Sequence, residues 1–268
     1  MYGVGFGYGS AGATTILKSG GAFDADALSF FTASGITDAT QKNAVNQLVL
    51  DLKSNSLWTK MKALYPVVGG NATAHSYNLK NTAQYQLTFS SGWTHSSTGM
   101  LPNGTSAYAD TGFIVPTTSS GLTPQNNHIA LYSRTNNQSG YDLFGIANSG
   151  YGMGLISRFT NGNAYYIVDA TFSPNITNSN GSGLFIGSAN SSSTTKLFRN
   201  GSLLVSGSTS VTTYSGSTGN ILIGTGNSTY SSKESCTISF GLGLSDSEVS
   251  TLGTIVNTFN TTLGRNTY

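Results

Sequence analysis

Residues 196–205 read Lys-Leu-Phe-Arg-Asn-Gly-Ser-Leu-Leu-Val, two apolar runs joined by Asn200 and Gly201. Both central residues of a tight type I′ turn need positive φ angles, which Asn and Gly adopt more readily than other residues. The stretch therefore predicts a β-hairpin. Short apolar runs bounded by Gly, Asn and Ser predict further strands at 220–224 and 236–244.

A capped helix is predicted directly after the last of these strands. Ser245-Asp-Ser-Glu248 has the composition of a capping box, in which a hydroxyl and a carboxylate satisfy main-chain N–H groups at the start of a helix. Gly264 is placed to end this helix. Apolar residues between them recur at helical spacing; they are Val249, Leu252, Ile255, Val256, Phe259 and Leu263.

Strand-like segments also precede the hairpin, from Gln84 onward. They are predicted at 85–89, 107–115, 128–133, 141–147, 153–159, 165–172 and 184–188. Gly, Asn and Ser interrupt the chain roughly every 8 to 12 residues, which is the spacing typical of a β-sandwich. We therefore expect one antiparallel two-sheet sandwich over about 84–244, with the C-terminal helix packed against it.

The segment 22–66 carries helical patterns instead. A short helix is predicted at 24–31, and Asp38-Ala-Thr-Gln41 resembles a capping box. A further helical turn is expected at 57–61, ended by Pro66. The stripe behind Gln41 is apolar at helical spacing; it contains Ala44, Val45, Leu48, Val49 and Leu52. So small a region does not fold alone, so it should pack against the sandwich or a neighbouring chain.

The closing third of the chain resembles laminin-G/concanavalin-like jelly-roll domains. The hairpin at 196–205, the Leu-Phe-Ile-Gly and Ile-Leu-Ile-Gly strands that begin at Leu184 and Ile221, and the segment 238–249 carry this resemblance. It implies a mainly β fold: an antiparallel jelly-roll (concanavalin/laminin-G-like) sandwich with its C-terminal helix at 67–268, after a small N-terminal helical region at 22–66. A fold of this kind does not by itself give a function.

A second resemblance concerns four segments earlier in the chain. Residues 31–38, 57–70, 75–80 and 92–110 are similar to a family of tailed-phage virion proteins, in which a helical piece precedes a laminin-G-like sandwich. This resemblance implies a structural protein of the virion, a capsid- or tail-attached fibre or decoration subunit. Its implied partners are other virion proteins, with copies of itself in a homo-oligomer within the particle.

The composition is unusual for a free protein. Charged residues make up 8% of the 268 residues and the net charge is +2, where about 25% charged is common in soluble domains. Such a surface suits a permanent subunit of an assembly or a surface that meets sugars, and simple compositional drift is the alternative. The sequence has no basic stripe and no apolar run of membrane length, so we expect neither nucleic acid nor a membrane as partner.

Residues 1–21 form a Gly-punctuated arm with aromatic side chains at Tyr2, Phe6 and Tyr8. The arm has neither the basic nor the apolar region of a signal peptide. One interpretation is a disordered tail. The other is an anchor that becomes ordered on a partner subunit, with the three rings as contacts.

The sequence offers little for catalysis. Retaining glycoside hydrolases of this fold need two carboxylates about 5 Å apart, but the chain has only two glutamates, Glu234 and Glu248. Glu248 is expected to cap a helix, so we predict no catalytic residues and no enzymatic activity. Cys236 is the single cysteine, expected to be a small buried residue of a strand.

No cofactor or metal site is predicted. Asp110, Asp142 and Asp169 are isolated in sequence, whereas calcium takes 6 to 8 oxygen ligands, so they would form a site only by converging in space. The histidines lack metal-ligand spacing and are expected to be ordinary hydrogen-bonding residues; they are His75, His95 and His128.

Trp93, His95 and Tyr108 are the candidate platform for a glycan, because flat aromatic rings suit sugar faces; the alternative is that they belong to the core. Three functions therefore compete. A structural virion protein is favoured, a carbohydrate-binding module for attachment to host-surface glycan is the alternative, and a polysaccharide-degrading enzyme is disfavoured by the shortage of carboxylates.

Overall fold

A computed structural model gives the fold. The residues that it describes are 22–114, 121–146, 152–169, 174–190, 192–214 and 219–268. The predicted anchoring arm, with Tyr2, Phe6 and Tyr8, lies outside the described residues, as do the ends of several predicted strands.

The described residues form four α-helices and seventeen strands. The helices are α1 Ala25–Ser34, α2 Ala39–Ser54, α3 Ala72–Ser76 and α4 Asp246–Thr262. The strands are β1 Met61–Tyr65, β2 Thr88–Phe89, β3 Trp93–His95, β4 Met100–Pro102, β5 Ala109–Ile114, β6 Asn126–Ser133, β7 Leu143–Ile146, β8 Gly152–Ile156, β9 Asn163–Ile167, β10 Asn175–Thr177, β11 Gly183–Asn190, β12 Thr194–Arg199, β13 Ser202–Ser208, β14 Asn220–Ile223, β15 Thr225–Gly226, β16 Thr229–Tyr230 and β17 Ser235–Gly241.

These strands build two antiparallel sheets, which confirms the predicted sandwich. Sheet A has the order β13-β12-β11-β6-β17-β4-β3, and β1 pairs with β17. Sheet B has the order β10-β9-β8-β7-β14-β5-β2, and β15 and β16 form a separate small hairpin. The hairpin predicted at Asn200-Gly201 joins β12 and β13, with φ angles of 52° and 80° at the two turn residues.

The alternation of side chains along β6 divides the core into two layers. Ile129 and Leu131 point between the sheets, where they belong to the same apolar cluster as Phe113 and Leu155 from sheet B. Ala130 and Tyr132 point the other way and join the cluster that sheet A makes with α1, α2 and α4. This period-two pattern buries both faces of sheet A, so the helices pack on the sandwich as predicted.

The predicted helix caps are present, with one difference. Ser245 accepts from the Glu248 N–H and the Glu248 side chain accepts from the Ser245 N–H, so the capping box of α4 is complete. Asp38 accepts from the Gln41 N–H at 2.8 Å, but Gln41 Oε1 accepts from Gly69 N instead of returning to Asp38. Gln41 therefore ties α2 to the turn after β1.

The prediction of a helical turn at 57–61 is wrong at its end. Trp58–Lys60 forms one 3-10 turn, and Met61–Tyr65 then continues as strand β1, antiparallel to β17. The apolar residues fit either element, and pairing with a strand about 175 residues away is what decides. The sandwich thus begins earlier than the expected residue 84. The strand expected at 85–89 is also shorter, because Tyr85 has a φ angle of 57° and only Thr88–Phe89 is extended.

Candidate functional site

Two of the three residues predicted as a glycan platform pack on each other at one edge of the sandwich. The rings of Trp93 and His95 lie 6.3 Å apart with 27° between their planes. Phe89 contacts both edge-on, at 5.4 Å from Trp93 and 4.7 Å from His95. Both rings are half-buried, so much of their area is used to hold β2 and β3 together.

Tyr108 meets this cluster through its main chain. Its carbonyl oxygen accepts from Trp93 Nε1 at 3.0 Å and from Ser90 N at 2.9 Å. The residue remains 38% exposed and lines a cavity on the outer face of sheet B. The structure therefore separates Tyr108 from the other two candidates and gives it a different neighbourhood.

This outer-face cavity has a volume of about 330 Å³, within the range of small-ligand sites. Its floor is a row of residues that the strand register places side by side: Asp110 of β5, Leu222 of β14 and Phe144 of β7. The residues around it are mainly aromatic, hydroxyl or amide; they are Tyr108, Asp110, Phe144, Gly219, Asn220, Leu222, Thr225, Gly226, Asn227, Ser228 and Tyr230.

The β15–β16 hairpin forms one wall of the outer-face cavity. Asn227 and Ser228 occupy its turn with φ angles of 46° and 58°, the left-handed values that a two-residue hairpin turn requires. A Cβ on Gly226 would lie 2.6 Å from Tyr141 Cγ and 2.8 Å from Phe144 Cβ. Only glycine therefore lets the hairpin sit this close to sheet B.

The polar groups of the outer-face cavity are held in place by their neighbours. Asp110 accepts from Gly112 N at 2.8 Å through Oδ1 and from Asn220 Nδ2 at 3.0 Å through Oδ2. A carboxylate has about four acceptor positions, so Asp110 keeps capacity for a ligand hydroxyl. The described lining includes one carboxylate and no Lys, Arg, His or Cys, which suits binding of a neutral polar molecule better than acid–base chemistry.

Tyr108 and Asp110 stood out in the sequence, whereas Asn220, Asn227 and Tyr230 did not. The signal that would have found them is the run Gly224-Thr225-Gly226, since two glycines so close in a strand indicate that another chain segment approaches closely. The partner residues on β5 and β7 are distant in sequence and follow only from the register of the sheet.

A second cavity, of about 360 Å³, lies where β11 and β12 meet the start of α4. Ser188, Thr194 and Phe198 are among its lining residues. Lys196 and Asp246 also line it, but they are bound to each other, with Nζ 2.7 Å from Oδ2. Its charges are thus already paired within the chain.

Both glutamates have structural partners. Glu234 accepts from Thr98 Oγ1 at 2.7 Å and pairs with Arg134 Nη1 at 2.6 Å. Glu248 pairs with Lys60 at 2.6 Å in addition to capping α4. Burial raises the pKa of Glu248, but the hydrogen bonds from Lys60 and Ser245 outweigh it and bring the pKa below its ordinary value. This carboxylate is therefore ionised at neutral pH.

The three aspartates considered for calcium lie in different places. Asp110 faces the outer-face cavity, Asp142 is buried beside Lys233, and Asp169 is buried elsewhere. Within the ranges that the structure describes, no group of three or more His, Cys, Asp or Glu residues could hold a metal ion. The single cysteine, Cys236, is buried as predicted, and burial raises the pKa of its thiol to about 11.

The histidines hydrogen-bond within the fold. His75 and His95 face each other with their Nδ1 atoms 2.9 Å apart, so one ring donates and the other accepts. Burial, with smaller effects of His95 and Arg265, lowers the pKa of His75 to about 3. His128 is fully buried with Nδ1 2.6 Å from the Leu242 carbonyl oxygen. Burial lowers the pKa of His128 from 6.5 to about 4, so it is neutral in the folded protein at pH 7.

Acidification should destabilise the protein through His128. Because the folded-state pKa is below the unfolded value of 6.5, the unfolded chain binds the proton more readily. Stability is therefore retained above about pH 6.5 and lost as the pH falls toward about 4. At about pH 5, His128 alone should lower the free energy of unfolding by roughly 2 kcal/mol. Denaturant titrations near pH 7 and pH 5 measure this.

His128→Asn is the matched control for that measurement. Its side-chain amide replaces the donor to Leu242 but does not titrate. Between pH 7 and pH 5, the free energy of unfolding of the variant should fall by about 2 kcal/mol less than that of the parent protein. An identical pH dependence in parent and variant would refute the role of His128.

Comparisons with known proteins give the fold and no family. No family model matches the chain, and no curated protein matches it by sequence. Domain 4 of AbnA, a GH43 extracellular arabinanase from Geobacillus stearothermophilus solved in complex with arabinotriose, superposes with a TM-score of 0.50 at 12% identity, covering 72% of this chain and 98% of that domain.

A Trypanosoma rangeli sialidase is also similar in structure. A mutant with trans-sialidase activity superposes with a TM-score of 0.56 at 11% identity, over 79% of this chain. The chain spans 39% of the length of that sialidase. At such identities the likeness establishes the β-sandwich fold. No helix in the described ranges has the length and apolar character to cross a membrane.

Proposed function

We propose that the chain is a non-enzymatic structural protein of a tailed-phage particle, a capsid- or tail-attached fibre or decoration subunit that displays its sandwich. The observation that carries this proposal is the joint between the helices and sheet A. A segment that resembles the virion family, residues 57–70, supplies it through β1 and the turn after β1. Arg265 donates to the carbonyl oxygens of Pro66 and Val67 in that turn and so fixes the joint from the other end of the chain.

This joint gives the sandwich two unlike faces. The outer face of sheet A is covered by α1, α2 and α4 in one continuous apolar cluster. The outer face of sheet B carries the outer-face cavity and polar side chains such as Asp110 and Asn220. A display subunit needs this arrangement, in which helices cover the outer face of sheet A and the outer face of sheet B is open to the surroundings.

The arm at 1–21 is the proposed attachment to the particle. Its glycines allow close main-chain approach and its rings can dominate a small interface. Deleting residues 2–20 should leave a folded sandwich that no longer enters particles. Particles assembled with parent or truncated protein are purified on a density gradient, and copies per particle are counted by quantitative mass spectrometry.

A variant with Tyr2, Phe6 and Tyr8 replaced by serine separates ring contacts from main-chain contacts. It keeps the glycines and should lose most incorporation if the rings are the anchors. Far-ultraviolet circular dichroism and thermal unfolding control for folding. Normal incorporation of a folded truncated chain would refute the anchor and would place attachment at the helical region instead.

The non-enzymatic part of the proposal rests on the glutamates. Glu234 and Glu248 are both held in ion pairs with structural partners, so neither is poised as the acid or nucleophile of a glycosidase. Capsular and algal polysaccharides incubated with the protein should keep their chain length in size-exclusion chromatography. Reproducible shortening that disappears in Glu234→Gln would overturn this part.

Attachment to a host-surface glycan is the second candidate function. The outer-face cavity favours it, because Tyr108 and Tyr230 border a concave surface that is rich in amides and hydroxyls. The described lining of that cavity carries one charged group, the Asp110 carboxylate. A particle subunit with such a surface can serve both roles, so the two candidates are compatible.

A further inference from the structure

We infer that the outer-face cavity is a binding site for a neutral, hydroxyl-rich saccharide, with Tyr108 and Asp110 as its main contacts. This inference deepens the second candidate function. It moves the site away from Trp93 and His95, whose rings pack against Phe89. The shape of the cavity supports this inference: its volume is about 330 Å³, and it is bounded by sheet B below and by the β15–β16 hairpin at one side.

The main chain that carries the aromatic side chain of Tyr108 is fixed before any ligand arrives. Three hydrogen bonds hold the main chain of Tyr108. Its carbonyl oxygen accepts from Trp93 Nε1 and from Ser90 N, and its N–H donates to Ser90 Oγ at 2.8 Å. Phe144 forms part of the buried floor. A partly exposed ring on a rigid main chain offers apolar area to a pyranose face with little loss of conformational entropy.

The polar part of the site is oriented in the same way. Asn220 donates its amide to Asp110, which fixes the direction of both side chains across β14 and β5. The Asp110 carboxylate then presents unused acceptor positions, and Asn220 Oδ1 adds another. Sugar hydroxyls are donors that suit such acceptors, and a charge-assisted hydrogen bond is the stronger kind.

The charge of the site selects neutral saccharides. The described lining holds the Asp110 carboxylate and no cationic side chain, so a sialic or uronic acid would bring a second negative charge close to the first without compensation. Like charges disfavour binding. The expected ligand is therefore a neutral hexose or pentose segment, either as a free oligosaccharide or within a surface polysaccharide.

The test uses the full chain and two sets of probes. The neutral set contains linear oligosaccharides of glucose, mannose, galactose and arabinose, and the acidic set contains sialyllactose and trigalacturonic acid. Binding is measured by saturation-transfer nuclear magnetic resonance and by calorimetry. At least one neutral probe should bind with a dissociation constant in the micromolar to millimolar range, and the acidic probes should bind at least about tenfold more weakly.

Three variants assign the binding to the cavity. Tyr108→Ser should weaken binding of the neutral probe by about tenfold or more. Asp110→Asn should weaken that binding less, and it should reduce the difference in dissociation constant between the neutral and the acidic probes. Leu203→Ser changes a residue that is 50% exposed on β13 of sheet A, and it should bind like the parent. Thermal unfolding verifies that each variant is folded.

Three results would overturn the inference: no neutral probe bound at millimolar concentration, binding unaffected by Tyr108→Ser in a folded variant, or a preference for the acidic probes. None of them bears on incorporation into particles, which the arm deletion measures separately. Conversely, the chain could bind the neutral probe and yet be absent from particles. That result would support this site and refute the proposed structural role.

Discussion

Replacing Asp142 with alanine should lower the free energy of unfolding by about 3–5 kcal/mol, because it leaves a buried ammonium group without its carboxylate. Lys233 Nζ lies 3.0 Å from Asp142 Oδ1, and the two side chains are 0% and 1% exposed. Asp142 also accepts from Ser157 N, Ser157 Oγ and Ser231 Oγ. Alanine would therefore leave these donors unsatisfied as well. Equilibrium denaturant unfolding near pH 7 measures the loss.

Lys233→Met is the partner variant. Burial lowers the pKa of Lys233, and the charge of Asp142 opposes this. Asp142 is thus the group that favours the ammonium form, although Nζ also donates to the carbonyl oxygens of Gly140 and Arg158. In Lys233→Met, Asp142 keeps three hydrogen bonds, and we expect a smaller loss than in Asp142→Ala. Combining Lys233→Met with Asp142→Ala should cost less than the sum of the single variants. A loss below about 1 kcal/mol in Asp142→Ala would contradict the importance of this pair.

Replacing Arg265 with methionine should cost about 3–5 kcal/mol of stability. Arg265 is 1% exposed. It donates to Asn260 Oδ1 at 2.8 Å, to the Pro66 carbonyl at 2.6 Å and to the Cys236 carbonyl at 2.9 Å, and it also donates to the Val67 carbonyl. Removing it takes the guanidinium donors away from the Pro66 and Val67 carbonyl oxygens, whereas the Cys236 carbonyl oxygen still accepts from Thr237 Oγ1.

Val67 adds a local reason for this expectation. It has a φ angle of 48°, which is unfavourable for a β-branched residue and persists only where neighbours hold it. Arg265→Lys keeps the charge but not the planar set of donors, and it should lose an intermediate amount. Denaturant unfolding compares the three proteins. Equal stability of the parent and Arg265→Met would show that the joint is held by apolar packing alone.

Local rules in the sequence predicted much of the fold. The Asn200-Gly201 turn, the Ser245–Glu248 capping box and the stripe of α4 depend on residues within a few positions of each other. The tertiary structure is consistent with these local preferences, so the elements that they favour are present in the folded protein. The hairpin, the capped helix and the placement of the C-terminal helix on the sandwich were therefore predicted correctly.

Elements that depend on distant partners were not predictable in this way. Met61–Tyr65 has apolar residues that suit a helix as well as a strand, and β17 decides in favour of the strand. The short strands β3 and β4 pair with each other, and β4 joins sheet A through one residue pair with β17, Met100 with Ser235. Sequence patterns of two or three residues carry too little periodicity to reveal them.

The candidate site shows the same division. Tyr108 was recognisable as an aromatic residue near a strand. That Trp93 and His95 pack on Phe89 while Tyr108 lines the outer-face cavity follows only from the tertiary structure. The outer-face cavity combines β5, β7 and β14 with a hairpin that only glycine at 226 allows. Its polar orientation depends on the contact of Asn220 with Asp110, 110 residues apart.

The location of this chain in intact particles decides whether it is a structural component of a virion, as we propose. Gradient-purified, DNA-filled particles are digested for quantitative mass spectrometry and labelled with gold-conjugated antibodies raised against the sandwich. We expect a fixed number of copies per particle through successive gradients and gold label at one defined position on the particle. Peptides found only in the soluble lysate, with no label on particles, would contradict it.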